Sequence, residues 1–411
     1  MLVVGGGIAG WSAAMGAFAA KAKTVLIERS ERPGGKATDA MVGTICGAYL
    51  RSTAEPPRIT LGNWSRFIPE VLVEMGGPKP QQGDHGLWFQ PYPMQLMGRL
   101  LEMEMMTHSY NLRLKTTVLA CLENEGGFEV RTQGSEGERC VLAKCIVDAT
   151  GNALITQLRG GALIKEELYQ SPSHVLQVNG LLPTSVQGLE ATAHRALQRA
   201  RDKGDARAIG IKHVGVVHGS LCEGRASLKI TLNRRIAQND DIGALNGQGR
   251  AIALGLVQLL REGTNTFRNV TVEAVAPELG VRTQQRPMGR ELLTEEDVLN
   301  CRKPANGVAI GAWPIEHWGD GPGADMKWMP EEEYYLVPSG ALTSPSVPGL
   351  YFAGRSISAS EMAIASARVM GTCMSTGFAA GVLASFSAMG KGEGEAIEQI
   401  RRENFPEWAR P

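Results

Sequence analysis

Aromatic residues are scarce in this 411-residue chain, at 6%, and charge of a dominant sign is missing: 42 Lys+Arg stand against 42 Asp+Glu. A balanced chain has no overall field to draw in nucleic acid or an anionic membrane. No apolar run approaches the ~18 residues needed to cross a bilayer, so no membrane span is expected. The start carries no basic segment ahead of its apolar one, and so does not read as a signal peptide. The seven cysteines include no CxxC pair and are odd in number, which argues against a disulfide framework or a zinc ribbon and for a reducing cytoplasm. No Ser/His/Asp hydrolase elbow and no HExxH zinc site occurs, and no metal site is expected. The length is too great for one compact core and fits two interleaved domains.

What the chain has in excess is glycine, 50 of 411 residues. Residues 2–10 read LVVGGGIAG, an apolar strand running into Gly5, Gly7 and Gly10 at GxGxxG spacing. At this glycine content such a triplet arises by chance roughly once per chain, so context must carry the reading. Gly5 permits a tight turn, Gly7 lets the backbone and the neighbouring Ile8 and Ala9 approach a diphosphate, and Gly10 lets the next helix pack closely. That helix is expected over 10–21, its amino end facing the diphosphate. A second strand over 24–28 ends in Glu28, close to the ~20 positions downstream expected of a ribose-binding carboxylate. No other GxGxxG follows a strand, so one dinucleotide site is expected. Few residues precede Gly5, so either the first strand is short or the natural start lies upstream of Met1.

The segment Glu28-Arg-Ser-Glu-Arg-Pro-Gly-Gly-Lys-Ala-Thr38 adds a double-glycine turn after the acid. From here the chain resembles the FAD-dependent oxidoreductases of the glutathione-reductase-type flavin fold. The resemblance implies that Arg29, Gly34, Gly35, Lys36 and Thr38 run beside the FAD ribose and diphosphate. Three more segments carry it. Around Val118, the strand over 115–120 is similar to one pairing with the adenine edge. The run ending in Ala149, Thr150 and Gly151 is similar to a "DATG" strand end that closes over the cofactor. The run ending in Gly354 and Arg355 is similar to a late strand that contacts the ribityl chain and flavin. Most relatives carry an acid where Arg355 stands, and an arginine there reaches toward the diphosphate instead.

Residues 358–381 resemble an "ARVM-x-TCM-x-x-G-x-AAG" signature of one branch of these flavoproteins. A loop ending near Gly371 and a helix over 372–388 are expected, with Gly377 and Gly381 on one face. Free N–H groups at Thr372 and Cys373 would face the pyrimidine edge of the flavin and stabilise its reduced anion.

The fold class expected is α/β: a three-layer, Rossmann-like FAD-binding domain from 1–48, 95–160 and 335–411. Inserted into it is a mainly β-sheet α+β substrate domain from 49–94 and 161–334. Period-two strands are expected over 174–179, 209–217, 226–232 and 269–275, with a helix over 249–262 and a helix start at Thr294. The tail after Gly390 reads as a charged surface helix. Arg282 and Arg286 match a family stretch "R-E-x-R-R-I-x-G", although Thr283 stands where the family has an acid and Gln285 where it has an arginine. Planar guanidinium groups there suit a carboxylate clamp, or alternatively structural ion pairing. His317, next to Glu316 in a "YPID-x-H"-like run, is the candidate base, or else an ordinary packed histidine. Cys46 is a candidate for flavin attachment, redox exchange or simple packing.

Three activities fit: an FAD-dependent dehydrogenase or oxidase taking hydride from an amine, amino acid or hydroxy acid at flavin N5; a flavin monooxygenase using NAD(P)H; and a flavoprotein acting in the maturation of a partner. A small-molecule substrate and an electron acceptor of unknown identity are implied by the first.

Overall fold

A computed structural model describes residues 1–107 and 111–410. Five short strands form a parallel sheet in the order Leu350–Phe352, Ile146–Asp148, Leu2–Val4, Val25–Ile27, Asn111–Arg113. Apolar side chains point from both faces, as a sheet covered on both sides requires. Leu2, Val4, Ile27, Ile146 and Leu350 pack against the antiparallel meander Thr117–Asn124, Gly127–Gly134, Gly137–Ala143. Val3, Leu26, Val147 and Tyr351 face the opposite way, toward the helices Ile8–Ala19 and Met370–Ala388. This gives the expected three layers, and the opening strand is short, at three residues.

Both helices are apolar all round and almost wholly buried, which no surface helix tolerates. They meet at glycine. A β-carbon on Gly377 would lie 2.2 Å from the carbonyl oxygen of Ala9, one on Gly381 2.0 Å from that of Ala13, and one on Gly16 2.2 Å from that of Phe378. The Ser12 hydroxyl donates across the seam to the Met374 carbonyl at 2.6 Å.

The sequence places a loop before residue 372, and the structure corrects this. Residues Glu361–Ala367 are helical and lead, through a 96° bend, into a second helix that starts at Met370. Gly371 therefore lies inside the first turn. Among the described residues no single helix is long and apolar enough to cross a membrane.

The second body is a four-stranded antiparallel sheet in the order Ile211–Val216, Arg225–Leu232, Ser173–Asn179, Thr271–Val275. All four lie where alternation put them. Helices Val186–Asp202 and Ile242–Gly263 close one face around Leu176, Val178, Leu228 and Ile230. The second helix begins seven residues earlier than periodicity indicated because Asp241 caps it, accepting from the Gly243 and Ala244 N–H groups. Thr294 starts its helix with a full capping box to Asp297. Residues 49–94, which the sequence grouped with this body, pack differently: Tyr49, Leu61, Ile68 and Trp88 share the core of the two buried helices, as do Val308 and Ile310. The tail helix Glu393–Asn404 is only partly a surface element, since buried Asn404 accepts from the Ser65 hydroxyl at 2.8 Å and donates to the Ser375 carbonyl at 3.0 Å.

Gly381→Ala is expected to lower stability by about 2 kcal/mol even though alanine gains ~1 kcal/mol of helix propensity over glycine. Urea denaturation measures it, and a variant as stable as the parent would show that the seam tolerates a methyl group.

Candidate functional site

The glycine-rich turn is built by three different constraints. Gly5 has φ +103° and donates to the Ile27 carbonyl at 2.8 Å. A β-carbon at Gly10 would sit 1.7 Å from the Gly5 carbonyl oxygen, so both are glycine for reasons of protein packing. Gly7 differs: a β-carbon there would meet nothing nearer than 3.9 Å. Among these three, only Gly7 faces space the protein itself does not fill, at the amino end of the helix where Ile8 and Ala9 begin the first turn. That is the cradle a diphosphate requires. Gly34 closes the far wall by donating to the Gly6 carbonyl at 2.8 Å, and Gly35 follows at φ +54°. The Thr38 hydroxyl donates to the Pro33 and Gly35 carbonyls, so it braces this turn.

Glu28 is buried and shapes the same loop. Its carboxylate accepts from the Gly6 N–H at 2.5 Å and the Ser30 N–H at 2.8 Å. Val118 packs with Val4 and Ile27 beneath it. On the other side, Ala149 donates to the Val4 carbonyl at 2.9 Å, and the Gly151 N–H donates to the Ser356 hydroxyl at 2.9 Å. Asp148, fully buried, accepts from the Thr150 N–H and hydroxyl and from the Ile155 N–H. Burial raises its pKa against those three bonds.

Cations gather beside Gly7. Lys36 and Arg29 pair with Glu278 at 2.5 and 2.7 Å, and Arg355 lies against Gly151, donating to the Val281 carbonyl at 2.7 Å. Burial depresses both Lys36 and Arg355, with Glu278 acting against it. Asp39 and Glu28 stand in the same cluster, so three cations are interleaved there with three carboxylates. Gly354 must lack a side chain, since a β-carbon would meet that of Ala9 at 2.6 Å.

Further along, the helix that begins at Met370 leaves the N–H groups of Met370, Gly371 and Thr372 without an intrahelical acceptor. The Cys373 N–H, expected to be free, is bonded to the Val369 carbonyl at 2.9 Å, a consequence of the earlier helix start. Among the described residues, the Thr372 hydroxyl and Arg368 Nε are buried without a hydrogen-bond partner.

Beyond that helix end lies a cluster of titratable groups the sequence did not reveal. Lys229 stands mid-strand in the four-stranded sheet, alternating with buried Leu228 and Ile230, and has no hydrogen bond or ion pair among the described residues. Lys229, Cys46, Glu316 and Arg368 are each half-buried and lie within electrostatic reach of one another. Burial lowers the Lys229 pKa against the pull of Glu316. Burial would raise Glu316, but Arg368, Lys229 and the Trp318 indole N–H outweigh it and hold it down at about 2. Burial pushes the Cys46 thiol up to about 12, which keeps it protonated and poorly nucleophilic. The signal in sequence was a lysine at an inward strand position, which a period-two scan counts only as polar.

Of the three expected catalytic residues, Arg286 and His317 both approach Glu361, while Arg282 lies against Trp318. Arg282 is buried over the Trp318 ring, 4.6 Å from its centroid, and donates to the Ser171 carbonyl. Burial, reinforced by Arg368, lowers it to about 9. Arg286 is 1% exposed and its donors are spent on Glu361 at 2.9 Å, Glu166 at 3.5 Å and the Ala359 carbonyl at 2.8 Å. Strand alternation turns His317 away from its neighbour Glu316, and its Nε2 has no hydrogen bond, lying 3.9 Å from Glu361. Burial lowers its pKa.

Two expectations follow. Arg286→Ala should cost about 3–5 kcal/mol of stability by leaving Glu361 buried and unpaired; a normally stable variant would return Arg286 to the list of substrate contacts. Burial, with His194, pulls His213 down to about 4. Unfolded, it titrates near ~6.5, so between these values the unfolded chain binds more protons. The contribution is complete above about 6.5 and disappears as pH falls toward 4. Urea midpoints across that range should fall less steeply for His213→Gln than for the parent.

A profile of the family described as FAD dependent oxidoreductase matches residues 1–405. Among curated proteins none matches. The solved structure of BexE, studied for oxidation during BE-7585A biosynthesis, is similar over 97% of this chain at 12% identity with a TM-score of 0.51. This chain spans 64% of BexE's length, and at that identity the likeness shows the fold alone. The flavin-dependent brominase Bmp2, solved as a triple mutant, aligns at 12% identity over 98% of this chain and 83% of its own, with a TM-score of 0.49. A geranylgeranyl bacteriochlorophyll reductase-like protein from Thermoplasma acidophilum aligns at 11% identity over 98% and 81%, with a TM-score of 0.46. With an open cradle at Gly7, cations beside it and the family's profile running along nearly the whole sequence, the chain belongs to the FAD dependent oxidoreductase family, and its cofactor is FAD.

Proposed function

We propose that this flavoprotein oxidises a small organic substrate that carries a carboxylate, a hydroxy acid or an amino acid. The supporting observation is Lys229, a lysine at an inward position of the sheet with no hydrogen bond or ion pair among the described residues. An ammonium group is costly to enclose without an anion, and its lowered pKa reports that cost. Arg368 adds a second cation whose one hydrogen bond goes to the Glu316 main-chain carbonyl, at 3.0 Å. A substrate carboxylate bound by both would offset this charge.

In this reading Gly7, Gly34 and Gly35 admit the FAD diphosphate, and Lys36 and Arg355 balance its charge. The free N–H groups of Met370, Gly371 and Thr372 face the flavin end of the groove. FAD supplies a two-electron acceptor when bound. Lys229 and Arg368 orient the acid, and Glu316, ionised and held by the Trp313 and Trp318 indole N–H groups at 3.2 and 2.8 Å, favours a substrate with a positive or hydrogen-donating group beside its carboxylate. Trp313 and Trp318, both 6% exposed, shield Glu316 from bulk water.

Anaerobic bleaching by a panel of 2-hydroxy and 2-amino acids, each paired with its amide, tests this. An acid should bleach the flavin and its amide should not, and Lys229→Met should raise KM for that acid by about 10²-fold. Amides bleaching as readily as acids would remove the carboxylate contact. Bleaching by NADPH alone, enhanced by an aromatic acceptor, would favour hydroxylation instead. Since Cys46 stays protonated, FAD should be released on acid precipitation; flavin retained in the pellet and lost in Cys46→Ser would contradict this.

A further inference from the structure

We infer that the protein has a second small-molecule site, for a neutral polyhydroxylated ligand such as a sugar or cyclitol, in the cleft between the two bodies. A cavity of about 360 Å³ opens there, within the ~300–1,000 Å³ typical of small-molecule sites. None of Lys229, Cys46, Glu316 and Arg368 lines it.

Its walls carry six carboxamides from three segments: Asn152, Gln157, Gln238, Asn239, Gln284 and Gln285. Among the described residues, Gln157 alone of these side chains makes a hydrogen bond, to the Asn152 carbonyl at 2.5 Å. The floor holds an independent observation. Tyr169 is 2% exposed, lines the cavity, and its hydroxyl has no hydrogen-bond partner among the described residues. The hydroxyl oxygen is not sealed in the core but keeps part of that small exposure, which leaves it open to a ligand in the cavity.

The lining selects the ligand. No lysine or arginine lines the cavity, and Asp240, its one carboxylate, is taken by Arg234 at 2.6 Å and the Ala237 N–H at 2.7 Å. A phosphate or carboxylate would find no cation there. An apolar ligand would strand the amides and the phenol without partners. Hydroxyl groups, each donor and acceptor at once, match carboxamides that offer both. Gln285, which replaces a family arginine, belongs to this wall, so the departure removes charge where the cavity has none.

Calorimetric titration of the FAD-loaded protein with maltose, D-glucose and myo-inositol, and with NADPH and malate for comparison, tests the site. At least one of the three polyols should bind, and Tyr169→Phe and Gln284→Leu should each weaken it about five- to tenfold, the loss of one or two hydrogen bonds. Thermal melts of both variants establish that they fold. Three outcomes overturn the inference: no polyol binds the parent protein; polyol binding is the same in both folded variants; or NADPH or malate binds and loses affinity in them.

Discussion

Everything in this molecule is referred to the seam where two buried helices touch backbone to backbone. One follows the first strand and the other lies near the end of the chain, so the contact joins residues more than 350 positions apart and closes the flavin-binding layer around the intervening sequence. Glycine is the only residue that fits, because the facing carbonyl oxygens already occupy the space of a β-carbon. The close approach also fixes where the amino ends of both helices lie. One lies at the open face of Gly7 and the other begins at Met370, so a single packing contact sets where both helix dipoles point.

Charge is then distributed in two tiers. Near Gly7 three cations surround Glu278, which comes from the loop after the last strand of the second sheet and is itself tied to the Asp39 carbonyl through its N–H at 2.8 Å. Farther along, Lys229 and Arg368 face Glu316. In the second place positive charge exceeds negative, while in the first the cations are interleaved with Glu278, Asp39 and Glu28. The chain's balanced total concealed this, because a net count is blind to where opposite charges are placed.

The parts of this arrangement that were legible in the sequence are those written in backbone chemistry. Gly5, Gly7 and Gly10 could be read because a turn, an open face and a close approach each leave glycine no substitute, and the four strands of the second sheet could be read because alternation is local. The break at residues 361–370 was missed because Ser360 caps a short helix inside what looked like a polar loop. Arg286 was ambiguous for another reason: a guanidinium that would clamp a substrate and one that ties down Glu361 look the same until the partner, 75 residues away, is known. Lys229 carried no motif at all. Its meaning lies in what fails to stand next to it, which only the assembled fold discloses.

A seam with no room for a methyl group also has no room to slide. Ridges of side chains can ratchet past one another, but carbonyl oxygens pressed against α-carbons cannot shift without opening a void, so the cofactor layer moves as one solid piece. Any breathing that admits a substrate must therefore come from the other wall, where the sheet bearing Lys229 is attached through extended crossings rather than through interlocked backbone.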